Sequence, residues 1–150
     1  MKKQCYFYYN ADPTKRLEVG LQWLFRTAKG SIQSPSFAFI AVNNIKDILN
    51  IPRVLHHYDD LKLLDNHYRC SIIGGNWIKV ITPETIPPDG ENQNMLAVYP
   101  TRRYLWSLDR IRNISVELVI PEDQYSINDW ITHHKAESHG FSGRDFRLNR

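Results

Sequence analysis

Two short basic segments carry the clearest chemical content. Lys15 and Arg16 follow Asp12-Pro13, and Thr101 precedes Arg102 and Arg103. Asp12 is a residue type that caps helices and proline suits the first helical position, so a helix start is expected at Pro13. Thr101 stands in the same relation to Arg102. The first turn of a helix presents unpaired N–H groups and the positive end of the peptide dipoles, so cations there oppose helix stability. A bound phosphate or carboxylate would remove the conflict by accepting from the N–H groups and the guanidinium forks together. The competing reading is that these side chains point into water or pair with Asp109, Glu122 or Asp123, as surface ions do at little gain.

The other reactive residue types show less organisation. Histidines stand at His56-His57, His67, His133-His134 and His139. Neighbours on a helix project about 100° apart, so neither pair offers two ligands on one face. No His-x3-His or Cys-x2-Cys spacing occurs, and no metal is expected. His134 falls on an apolar helix face and reads as a satisfied, semi-buried side chain. His57, Asp59 and Asp60 could support acid–base work, but no nucleophile is placed beside them. Cys5 and Cys70 are too few for a disulfide framework and read as buried thiols. Glycine-rich phosphate loops and a nucleophile elbow are absent, and Gly74-Gly75 reads as a plain turn, so no cofactor is expected.

The elements that must position these residues alternate. Residues 4–9 form an apolar, aromatic strand. After it, Leu17, Leu21, Leu24, Phe25 and Ala28 share one helix face, which Gly30 ends. Residues 37–42 are apolar on both faces, the mark of a strand covered on two sides. Helical turns follow around residues 45–49 and 52–64. Residues 68–73 and 77–81 flank Gly74-Gly75 as a hairpin. Residues 82–94, with three prolines, read as a long loop of functional or mobile character. Residues 95–99 form a strand. Tyr104, Leu105, Leu108 and Ile111 mark the inner face of the next helix, and residues 114–120 form the strand after it. Such a crossover joins parallel strands. Ser126 and Asp129 resemble a capping box before Ile127, Trp130, Ile131 and His134. The class is therefore α/β: a small Rossmann-like three-layer sandwich with a mainly parallel sheet and a central hairpin that gives an antiparallel edge. One domain is expected over residues 1–139, with a flexible tail over 140–150.

Composition narrows the function classes. The chain has 150 residues, 42% hydrophobic and 23% charged, which excludes wholesale disorder and a coiled-coil rod. Its net charge of +3 divides into opposed blocks. Residues 1–30 and 101–116 are basic, residues 117–139 acidic. The tail alternates Arg144, Phe146, Arg147 and Arg150, too short a segment to make nucleic acid the expected partner. No apolar run approaches a membrane span and no signal-peptide core is present, so a cytoplasmic protein is expected.

Parallel sheets bind ligands outside the carboxyl ends of their strands. The expected site is accordingly Lys15, Arg16, Asn43, Asn44, Thr101, Arg102 and Arg103, holding a small anion such as a nucleotide or phosphorylated metabolite without catalysis. The alternatives are a protein-interaction module using exposed aromatics and the 82–94 loop, and an enzyme of hydrolase or transferase type.

Overall fold

The computed structural model describes residues 3–27, 37–47, 69–71 and 77–139. Within them lie β1 (Gln4–Phe7), α1 (Pro13–Thr27), β2 (Phe37–Ala41), β3 (Arg69–Ser71), β4 (Trp77–Ile81), β5 (Asp89–Val98), α2 (Arg102–Ser107), β6 (Arg112–Ile120), α3 (Asn128–His134) and β7 (Glu137–Ser138). A 3-10 turn, Leu108–Arg110, joins α2 to β6. The helical stretch expected within residues 52–64, the Gly74-Gly75 turn, His56, His57, His67 and the 140–150 tail lie outside the described residues.

One sheet organises the chain, in the order β3-β4-β2-β5-β6-β1-β7. The strands from β4 to β7 in that order run parallel. At the far edge the short β3 pairs antiparallel with β4. Strand residues alternate between the two faces. Ile40, Ile78, Val80, Leu96, Val98, Leu118 and Ile120 face α1, where Leu17, Leu21 and Leu24 meet them. Phe39, Ala41, Ile81, Met95, Ala97 and Val119 face the other way, against Tyr104, Leu105 and Leu108 and, from the α3 region, Ile127 and Trp130. This is the α/β sandwich expected from strands apolar on both sides, and the α2 inner face is buried as its spacing implies.

Helix α1 sits close to the strands. A Cβ on Gly20 would stand 3.1 Å from Ile120 Cγ1 and 3.3 Å from Leu96 Cδ1, so a larger residue there would require these side chains to give by a few tenths of an ångström. Val19 and Trp23 are also buried. The apolar face of α1 is thus broader than the leucine stripe and includes Trp23.

Three local readings change. The 82–94 segment is not wholly a loop: β5 already begins at Asp89 and pairs there with Arg112. Its register shifts before Gln93 and again before Met95, and Glu91 and Asn92 have φ of 53° and 60°. Bulges break the two-residue alternation, so no strand period shows in that stretch of sequence. Helix α3 starts at Asn128, with Ile127 at the cap position and no side-chain cap. Ser126 instead donates to the Asp123 carbonyl, so the capping box does not form. Lastly, β7 is an added edge strand, too short to show a pattern, paired with β1 through Tyr6 and Phe7.

Two outcomes test this packing. The Tyr104 hydroxyl donates to the Ile81 carbonyl at 2.7 Å, and that carbonyl also accepts from Val42 N. Tyr104→Phe therefore leaves the carbonyl with one partner and should cost about 1 kcal/mol in denaturant unfolding. Burial holds the His139 imidazole down to about 3, from an ordinary 6.5. Between those values the unfolded chain takes a proton that the folded chain refuses, so stability should fall as pH drops through this window. Unfolding midpoints of His139→Gln should fall less steeply there than those of the wild type.

Candidate functional site at the carboxyl edge of the sheet

The connections leave the carboxyl edge in two directions. From β1 and β2 the chain passes to the α1 side, since α1 and Ile45 both pack against that cluster. From β5 and β6 it passes to the opposite side, where α2 and α3 lie. Strand β6 neighbours β1, and β5 neighbours β2. Each junction is a point where adjacent connections diverge, which is where open α/β sheets generally bind their ligands.

Arg16 lies at the first junction. Asp12 caps α1 by accepting from Thr14 N at 3.0 Å, and the Arg16 N–H bonds the Asp12 carbonyl. The Arg16 side chain does not reach into water: the residue is 6% exposed. Its guanidinium carbon lies 5.1 Å from the Tyr9 ring centroid and 5.3 Å from that of Tyr99. Nη1 donates to the Glu122 carbonyl at 2.9 Å, tying α1 to the exit of β6. Nε is buried and has no hydrogen-bond partner. An arginine between aromatic faces gains cation–π attraction, but the desolvated N–H remains a cost.

Tyr99 is the second element. Its φ of 49° is in the left-handed region, which costs a bulky residue about 1–3 kcal/mol. Two hydrogen bonds hold it there. Tyr99 N donates to the Ile120 carbonyl at 2.8 Å, and Asn43 Nδ2 donates to the Tyr99 carbonyl at 2.7 Å. Asn43 also accepts from Thr101 N at 3.0 Å, so one side chain fastens the β2 exit to the β5 exit. The Tyr99 hydroxyl is buried without a partner.

The seven expected residues therefore divide. Arg16, Asn43 and Thr101 are linked through Tyr99 and its neighbours. The Thr101 hydroxyl is spent on its own helix, accepting from Tyr104 N at 3.2 Å. Arg102 is an exposed side chain paired with Asp129, an acid not among those considered from sequence. Arg103 and Lys15 are exposed, and Asn44 caps a local turn by accepting from Lys46 N at 3.0 Å. Helix α2 has only six residues, so its start contributes little dipole. Tyr9 and Tyr99 were missed. The available signal was tyrosine at the exits of two strands, residues 8–9 and 99. Trp106 is partly buried against the core, and among the described residues the exposed large aromatic is Tyr125, 70% exposed in the loop after Glu122.

No group of three or more His, Cys, Asp or Glu side chains among the described residues could hold a metal. No helix among them is long and apolar enough to cross a membrane. No protein-family model, curated protein or solved structure matches the chain.

The Asn43 bridge has a measurable worth. Asn43→Ala removes both bonds and the restraint on Tyr99. It should lower stability by about 1–3 kcal/mol, read from the urea midpoint at unchanged m-value.

Proposed function

We propose that the chain is a binding module for a small anion, the phosphate of a nucleotide or of a phosphorylated metabolite, held at the carboxyl edge in the Rossmann-like manner. The observation that carries this reading is the Arg16–Tyr99 stack. It buries two polar atoms without partners, Arg16 Nε and the Tyr99 hydroxyl, and Tyr99 is itself in a strained backbone conformation. Strain and unmet buried donors persist where something else makes use of them. An oxyanion accepts from a guanidinium N–H and a phenol together. The site lies at the start of α1, a fifteen-residue helix with no acid in its first turn beyond the capping Asp12, and the helix field adds to the attraction. Exposed Lys15 and Arg103 lend longer-range steering. The gathered groups are donors and aromatic rings without a nucleophile–base pair, which favours binding over turnover.

Thermal unfolding with inorganic phosphate, nucleoside mono- and diphosphates and sugar phosphates tests the reading. At roughly a hundredfold excess over Kd, a true ligand should raise the midpoint by about 5 °C or more. Arg16→Gln should abolish the rise. Tyr99→Phe should leave the unliganded protein as stable or more so, because it removes an unpaired hydroxyl, yet weaken the ligand response. Wild type unmoved by every phosphate compound defeats the proposal, as does a response that survives Arg16→Gln intact.

A further inference from the structure

The opposite end of the sheet holds a second set of charges that the carboxyl-edge site does not use. Glu117 lies on β6 between Cys5 and Met95 in register and is wholly buried. Lys3 Nζ stands 2.7 Å from Glu117 Oε1 and 2.9 Å from Asp109 Oδ1. Asp109 Oδ2 stands 2.9 Å from His134 Nε2. Four ionisable groups thus touch in a line that runs from the buried layer outward. The line ends at a cavity of about 490 Å³ between the end of α3 and the start of β6. Lys3, Asp109, Asn113, His133, His134 and Lys135 give that cavity its polar lining. A second cavity of about 340 Å³ shares Lys3, His134 and Lys135 with it.

Such a line is expensive to bury. Replacing buried ions by apolar groups commonly stabilises a protein, so retained charge beside a cavity marks a candidate site. No hydrogen-bond donor is aligned on either Glu117 oxygen, so its compensation is the Lys3 charge. Burial lowers the Lys3 pKa, but Glu117 and then Asp109 outweigh that and carry it above the ordinary lysine range. Lys3 therefore stays charged and is already neutralised. The charge left for a ligand comes from the end of α3, where Lys135 is exposed and makes no ion pair among the described residues.

We propose that this cavity binds a small monocarboxylate and that binding is coupled to protonation of His134. His134 lines the cavity with Nε2 against Asp109, so an anion held beside the ring favours the protonated imidazole over the neutral one. The remaining neighbours leave that coupling in place. The Cys5 thiol, pushed up to about 12 chiefly by burial, stays neutral. Glu137 on β7 and Arg110 on the 3-10 turn are exposed and screened by solvent. Trp106 and Trp130 pack on the His134 ring, with centroids at 6.0 and 5.0 Å, and carry no charge. Asp109 in the lining opposes a dianion, which selects a carboxylate over a phosphate.

The test is an NMR titration of the histidine ring protons in the full chain, with sodium acetate, sodium phosphate or sodium chloride at equal ionic strength. Acetate should raise the His134 midpoint by about half a pH unit or more over chloride, with a smaller rise in phosphate. Lys135→Asn removes the charge while keeping a residue that tolerates the φ of 52° there, and should cancel the rise. Arg16→Gln should leave it intact, which separates this site from the carboxyl edge. Equal midpoints in acetate and chloride, equal rises at His133 and His134, a larger rise in phosphate, or an undiminished rise in Lys135→Asn would each overturn the proposal.

Discussion

A parallel sheet can leave neither face to water, and covering both faces of this one fixes where everything else goes. The chain leaves β1, enters α1 and returns in β2 three positions away, so α1 must lie across β6 and β5. That one crossing covers the centre of one face and leaves the other to α2 and α3. It also sets the exits of β1 and β2 against those of β5 and β6. The divergence of the connections at the carboxyl edge is a consequence of topology before any side chain is considered, and at Gly20 the helix comes close to Ile120 and Leu96.

Each end of the sheet then carries a buried charge, and the two are compensated differently. Arg16 is delocalised and planar, so two tyrosine faces and one carbonyl can hold it, with one N–H left unmet. A guanidinium tolerates this because it is weakly hydrated and stacks on rings. Glu117 has a compact charge with no such option and depends on the opposite charge of Lys3. Burial raises its pKa against the pull of Lys3, so the neutral acid is favoured more than in water. Loss of the lysine would leave the Glu117 carboxyl in the layer beneath α2 and α3 without its compensating charge, and breaking a buried pair in this way is strongly destabilising.

Much of this could be read from residue order. The strands apolar on both faces, Phe39-Ile40-Ala41 and Leu118-Val119-Ile120, imply two covering layers, and the caps at Asp12 and Thr101 form as their residue types imply. The bulged start of β5 could not be read, because positive φ at Glu91 and Asn92 destroys the two-residue period. Nor could β7, whose two residues pair only because β1 offers a free edge.

The candidate site divides in the same way. The sequence by itself determined the α/β class and the presence of basic residues at the start of two helices, since both follow from local pattern and capping chemistry. Only the tertiary structure decided which of those residues matter. It paired Arg102 with an aspartate 27 positions away and left Lys15 exposed. It drew Arg16 inward between tyrosines from two different strand exits. Charge, type and spacing are local properties, whereas desolvation and the absence of a partner belong to the packed layers around a side chain. No linear reading contains those layers until the strand order is known.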